Sequence, residues 1–174
     1  VEDFRGIMGK TMDVIAAKFF PDMPEKERME LLDKCGEYEN EYLSGHGAVL
    51  YPGVEETFAK LKEKYELYIV SNCQSGYIEA FLSYYNLGKY ISDIECYGNN
   101  EKQKEDNIAL VVSRNALTDA VYVGDIQSDY ESSKKAGVAF IHAAYGFGTI
   151  DDEVPEIENL SQLPEVVEKV FAGK

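Results

Sequence analysis

Basic residues are scarce in this 174-residue chain. Only 17 Lys and Arg stand against 32 Asp and Glu, a formal charge of −15. Nucleic acids and anionic membranes require compensating cations, so neither is an expected partner. An anionic ligand would have to be held by local cations or a metal against the field of the whole molecule. Cysteine is sparse too: Cys35, Cys73 and Cys96 are widely spaced, odd in number and contain no C-x-x-C pair. That usage argues against a disulfide scaffold and suits a reduced, cytosolic protein. No apolar run approaches the 18 or so residues of a membrane span. No signal peptide is evident either. The chain opens on VEDFRG rather than methionine, however, so that second absence carries little weight. Internal repeats and low-complexity tracts are also lacking.

What is present can build a core. The composition is 45% hydrophobic and 12% aromatic, enough for one medium domain or a core with a smaller appendage. Residues 1–48 read as helical, with apolar residues at helical spacing in FRGIMGKTMDVIAAKFF. Asp22 and Pro24 suggest the start of a second helix running to about Tyr42, which SGHG at 44–47 then breaks. After Tyr51-Pro52-Gly53 the texture alternates. An amphipathic helix over 53–64 precedes the strand ELYIVSN, and the helix GYIEAFLSYYNLG stops at glycine. The strand DIECYG, the helix KEDNIALVVSRN, the strand DAVYVGD, the helix SDYESSKKAG and the strand VAFIHAAYGFG follow, with a last helix in NLSQLPEVVEKVF. Strands alternating with helices of this length predict right-handed βαβ units, hence an α/β Rossmann-like three-layer α/β/α core with a mostly parallel sheet.

Ligands in such folds bind at the carboxyl ends of the strands. The first strand delivers Ser71 and Asn72 there, and the third delivers Asp125 and then Asp129. Lys102 and Lys104 lie between them at the start of a helix. A hydroxyl, a lysine and an acidic pair on one edge suit a phosphate held beside Mg²⁺, with hard oxygens for the metal and lysine and hydroxyl for the phosphate. Each residue also has an ordinary reading. Asp125 reads equally as a helix N-cap and Asp129 as a first-turn acid favoured by the helix dipole. Ser71-Asn72 reads as a plain strand exit, and a lone lysine as a solvated one.

The set YPGVEETFAKLKEKYELYIVSN, a following lysine, VYVGDIQSD and FIHAAYGFG, in that order, resembles the haloacid dehalogenase superfamily over nearly the whole chain. The phosphoglycolate-phosphatase-like branch with a helical cap is the nearest likeness. The resemblance implies a cap in residues 1–48 and a core in 49–174. It implies that Ser71, with Asn72 beside it, hydrogen-bonds the phosphoryl group. Lys104 neutralises charge at the phosphate, with Lys102 as fallback. Asp125 ligates Mg²⁺ directly, and Asp129 supports that site through water or hydrogen bonds. RGIMGKT falls in the cap near where the family selects substrates, so Arg5 and Lys10 could meet the organic part of a phosphate ester. Two solvated cations are the alternative. The activity implied is Mg²⁺-dependent hydrolysis of a small phosphorylated metabolite through an aspartyl-phosphate. A phosphomutase or pyrophosphatase of the same superfamily, or an inactive binding module, is the alternative.

One departure stands out. The family's D-x-D strand, whose first aspartate is the nucleophile and whose second is the general acid/base, occurs nowhere in the sequence. Asp151-Asp152 are adjacent, follow a glycine loop and do not substitute. In the family that strand lies between those ending at Ser71 and Asp125, so the expectation is a core lacking its first strand and a nucleophile upstream of residue 1. Unpaired backbone groups there would cost about 1–3 kcal/mol each.

Two apparent motifs are rejected. GKT at 9–11 echoes a phosphate-binding P-loop, but Phe4 stands where glycine is required and no strand precedes it. Cys73 with His142 could be imagined as a nucleophile and base, yet nothing in the sequence brings them together, and buried cysteine is the commoner state.

Overall fold

A computed structural model describes residues 6–173. The chain opens with helix α1 (Met12–Phe19) and the long α2 (Glu25–His46), then α3 (Val54–Lys62). The alternating part follows as β1 (Leu67–Ser71), α4 (Tyr77–Tyr84), β2 (Ile91–Cys96), the single-turn α5 (Tyr97–Asn100) and α6 (Lys104–Arg114). It continues as β3 (Val121–Gly124), α7 (Gln127–Lys135), β4 (Ala139–Ala143), β5 (Glu156–Ile157) and α8 (Leu163–Ala172).

Helix boundaries follow their end residues. Pro24 occupies the cap position of α2, so Asp22 lies outside the helix it was expected to cap. The helix also runs beyond Tyr42 and through Gly45. It ends only at Gly47, whose φ of 65° is a backbone angle that favours glycine. A glycine within a helix costs roughly 1 kcal/mol relative to alanine, which the remaining turns offset. Helix α4 stops through Asn86, whose φ is 54°, before the glycine expected to end it. In α3, Glu55 and Glu56 open the helix and Lys60 and Lys62 close it, both favoured by the dipole.

All strand pairs are parallel: β1 with β2, β3 with β4, and β4 with the short β5, which the sequence pattern did not predict. They form two sheets, β1-β2 and β3-β4-β5. Among the described residues, β1 pairs with no strand but β2, and β3 with none but β4. Helices α3 and α8 pack together on one side, where Leu61, Ile141, Ala143, Ile157, Leu163 and Val167 form a buried cluster joined by Val121 and Val123. Helices α6 and α7 cover the other side. Arg114 ties α6 to β2: its Nε donates to Asp93 Oδ2 at 2.8 Å and its Nη1 to Glu95 Oε2 at 3.0 Å.

Between the two sheets lies a largely apolar cavity of about 620 Å³. Ile69 and Val70 of β1, Val121 and Tyr122 of β3, Ile108 of α6 and Val167 of α8 contribute to its lining. Among the described residues one hydrogen bond crosses from strand to strand between the sheets: the Tyr122 hydroxyl donates to the Val70 carbonyl at 3.0 Å.

Candidate functional site

Asp125 and Asp129 follow β3 and enter α7 in a conformation that two glycines make possible. A Cβ on Gly124 would stand 2.7 Å from Asp129 Oδ2, so only glycine lets that carboxylate fold back over the strand end. A Cβ on Gly146 would stand 2.4 Å from Asp125 Oδ2, so the loop after β4 reaches Asp125 because residue 146 has no side chain. That loop is therefore more than a plain turn. Its Phe147 amide donates to Asp125 Oδ2 at 2.8 Å. Ile126, not Asp125, holds the cap position of α7.

Asp129 has a partner on each oxygen. Oδ2 accepts from the Asp125 amide at 3.2 Å and Oδ1 from Lys104 Nζ at 2.5 Å. Both side chains of the Lys104–Asp129 pair are buried, with 10% and 6% of their surface exposed. Lys104 reaches this point as the first residue of α6, which lies against α7. Burial opposes its charge, but Tyr122 and Asp129 outweigh burial and hold the ammonium above its ordinary range. Lys102 is exposed. Its amide donates to Asn100 Oδ1 and its carbonyl accepts from Asn107 Nδ2.

Asn72 joins this edge to the N-terminal segment. Its Nδ2 donates to the Gly9 carbonyl at 2.8 Å, and its Oδ1 is buried with no hydrogen-bond partner. Gly9 has φ 71°, and a Cβ there would lie 2.3 Å from Ile126 Cδ1, so residues around Gly9 press onto the loop after β3. A cavity of about 290 Å³ opens where they meet, and Lys10, Asn72, Lys104, Ser128 and Lys135 are among its lining. The structure thus gathers Lys10, Asn72 and Lys104 around one space and binds Lys104 to Asp129. Ser71, Asp125 and Asp129 do not line that cavity. Ser71 Oγ instead accepts from the Cys73 amide at 3.3 Å. Arg5 lies outside the described residues. His142 is paired with Glu156 across the β4-β5 ladder and does not meet Cys73 through any hydrogen bond.

Asp125 and Asp129 are hard oxygen donors of the type Mg²⁺ takes, usually together with several waters. Among the described residues no group of three or more His, Cys, Asp or Glu could hold a metal. The pair therefore fits part of a Mg²⁺ shell. Asp129, with both oxygens engaged, suits positioning, while Asp125 keeps capacity to ligate.

Sequence reasoning missed Tyr122. Strand alternation carries the signal: Val121 and Val123 join the α3/α8 cluster, so Tyr122 projects to the other side, against Phe140 and the Lys104 ammonium. Burial pushes its hydroxyl up to about 12, against the opposing pull of Lys104. Tyr122 and Lys104 both titrate higher folded than unfolded. The stability they contribute is complete below the unfolded values and is lost as pH rises through the folded ones. Wild-type stability should therefore decline between about pH 10 and 12. Tyr122→Phe should start about 1 kcal/mol lower at neutral pH, having lost the Val70 hydrogen bond, and decline less steeply. Denaturant midpoints across that range read the slopes, and parallel declines would contradict the assignment.

The sequence profile of the haloacid dehalogenase-like hydrolases matches residues 1–143. The phosphoglycolate phosphatase of Escherichia coli (strain K12) is 26% identical over 148 residues, which is 78% of this chain and 57% of that protein. The Shigella boydii phosphoglycolate phosphatase matches to the same extent. The chain thus spans little more than half the length of these relatives. A predicted phosphatase from Clostridium acetobutylicum superposes with a TM-score of 0.78 at 16% identity, covering 97% of this chain and 82% of that one. CbbY from Rhodobacter sphaeroides, in complex with phosphate, superposes with a TM-score of 0.76 at 16% identity, covering 93% and 79%. At these identities the superpositions speak to the fold, a Rossmann-like α/β hydrolase architecture. With the profile matching most of its length, the chain belongs to the haloacid dehalogenase-like hydrolase family.

Proposed function

We propose that the protein is a Mg²⁺-dependent phosphatase acting on a small phosphorylated metabolite, with residues 1–48 as its cap and 49–174 as its core. The observation that carries this reading is the buried relay in which Lys104 holds Asp129 and Asp129 holds the Asp125 amide, at the carboxyl end of β3. A lysine fixed beside two carboxylates is a poor stability device, because desolvation offsets most of its Coulomb energy. It is a good way to present positive charge to a phosphate while leaving Asp125 for a cation. The orphaned Asn72 Oδ1 adds a buried polar atom facing the same edge with nothing to bind.

The nucleophile is assigned to an extended segment carrying D-x-D, seated in the 620 Å³ cavity between β1 and β3. Apolar walls and two strand edges facing one space suit a strand running parallel to both. Its first carboxylate attacks phosphorus in line. The ester P–O bond breaks, the second aspartate protonates the departing alcohol, and an aspartyl-phosphate remains. Water, deprotonated by that second aspartate, then attacks phosphorus and releases phosphate. Ser71 donates its hydroxyl hydrogen to a phosphoryl oxygen, and Lys104 offsets the charge of phosphate and nucleophile. Mg²⁺, when bound, supplies further neutralisation of the oxygens, with Asp125 as its ligand from this chain and Asp129 in support.

Lys10, exposed and lining the smaller cavity, would meet the organic part of the ester, and Arg5, outside the described residues, is proposed for the same role. Phosphoglycolate phosphatases among the relatives make a small phosphorylated acid the first substrate to try. No helix among the described residues is long and apolar enough to cross a membrane, and a cytoplasmic enzyme is the corresponding proposal. The test is phosphate release by the full-length protein from a panel of small phosphate monoesters, with Mg²⁺ and with chelator. Release from at least one ester, abolished by chelation, is expected. No release from any ester, or release indifferent to chelation, would reject the reading.

A further inference from the structure

Two cysteines meet beside the Ser71-Asn72 loop. Cys96 ends β2 directly opposite Ser71, and Cys73 follows Ser71 by two residues. The Cys73 carbonyl accepts from the Gly98 amide at 3.0 Å, and the Cys96 thiol lies 3.6 Å from the Gln74 carbonyl oxygen. Gly98 sets this closeness, for a Cβ there would stand 2.1 Å from Ser75 N and 2.5 Å from the Gln74 carbonyl carbon. The backbones after β1 and β2 therefore touch, which sets Cys73 beside Cys96. Both thiols are free, Cys96 being 1% exposed and Cys73 half-buried, while Cys35 is exposed on α2.

We infer that Cys73 and Cys96 are a redox-modification site, closing to a reversible disulfide that displaces the Ser71-Asn72 loop. The neighbouring Cys73 thiol holds the Cys96 thiol below its ordinary range while Cys96 pushes Cys73 above it, which favours Cys96 as the nucleophile. The oxidant is hydrogen peroxide, small enough to pass the half-buried partner. The Cys96 sulfur attacks one peroxide oxygen, the O–O bond breaks, and sulfenic acid and water result. The Cys73 sulfur then attacks the sulfenic sulfur, an S–S bond forms and a second water leaves. Two thiols and one peroxide thus give one disulfide and two waters, and a dithiol reductant reverses the change. A disulfide of about 2.05 Å is far shorter than any thiol–thiol hydrogen bond. Closing it draws residues 72–74 toward β2 and pulls on the Cys73 amide, which bonds Ser71 Oγ.

The disulfide does not depend on the phosphatase reading, while its effect on turnover rests on it. The experiment treats full-length protein with hydrogen peroxide, alkylates the remaining thiols and maps the peptides by mass without reduction. A linked pair of peptides containing Cys73 and Cys96 is expected, with Cys35 still alkylated, and dithiothreitol should restore both thiols. Cys96→Ser should yield no linked peptide. Retention of both thiols under conditions that oxidise Cys35, or a link through Cys35 instead, would overturn the inference. In parallel, oxidation should lower kcat/KM for the best ester at least tenfold, reversibly, and leave Cys96→Ser unaffected. A mapped disulfide with unchanged turnover would overturn the loop displacement. A mapped disulfide in a protein whose reduced form hydrolyses no ester would instead reject the phosphatase reading and uphold the thiol site.

Discussion

Asp125→Asn is expected to lower Mg²⁺-dependent phosphate release by about 10²–10³-fold, the scale of losing one preorganised electrostatic group. The substitution is chosen because it keeps what holds the residue in place. Asparagine retains an oxygen that can accept the Phe147 amide, and it is no larger, so the close approach of Gly146 survives. What disappears is the negative charge that a hard cation requires. The loss should therefore sit in turnover and in the Mg²⁺ concentration needed for half-maximal rate, while the unfolding midpoint stays near wild type. Phosphate release against Mg²⁺ concentration, beside urea unfolding of both proteins, separates these. Wild-type rates at every Mg²⁺ concentration would remove Asp125 from the site.

Lys104→Met should damage both activity and stability. Methionine replaces the aliphatic stem but leaves the Asp129 carboxylate buried without its cation. Removing one partner of a buried pair typically costs about 3–5 kcal/mol, a large share of the roughly 5–15 kcal/mol that stabilises a domain. Asp129 keeps only the Asp125 amide, so the relay that orients Asp125 slackens as well. A second substitution divides the two effects. Lys104→Met combined with Asp129→Asn removes the stranded charge while keeping an acceptor for that amide, so the midpoint in urea should recover most of the loss. Turnover should stay at least about 100-fold down, because no cation remains to offset the phosphate. A single variant as stable as wild type would mean the pair is not the buried unit described here.

How much of this could be read in the sequence depended on the range of the interaction concerned. Periodicity put Ser71, the Lys102/Lys104 pair, Asp125 and Asp129 at element ends, and the family resemblance singled out Lys104. The structure joins Lys104 to Asp129 and Asp129 to the Asp125 amide, while Ser71 turns to the Cys73 amide. The link from Asn72 to Gly9 spans 63 residues and runs to a backbone carbonyl, so no side-chain pattern announces it. Gly146 lies in the loop after β4, and its closeness to Asp125 appears only when two loops are placed together. Tyr122 was hidden by its neighbours, since a run of β-formers reads as uniform core until alternation assigns each residue to a side. The overrun of α2 past Tyr42 and through Gly45 is a matter of degree, one glycine being a weak stop against twenty-two residues of helix, and Gly47 of the same SGHG does end it. The grouping of five strands into two sheets is tertiary: alternation specifies βα units, not which ladders join.

That grouping bears on how the molecule opens. Residues of β1 and β2 close one ladder, and those of β3 to β5 close the other, each from a contiguous stretch of chain. Among the described residues the halves meet through α6, through apolar packing that includes α3 on α8, through the Lys64–Glu168 ion pair and through the Tyr122–Val70 hydrogen bond, with no backbone ladder between them. Among the described residues separating them breaks no strand pairing, whereas the D-x-D strand assigned above would pair with both edges and close the seam. Amide hydrogens in the strands of residues 1–174 alone should exchange in two classes divided between β2 and β3, and a protein that carries the D-x-D strand should show one.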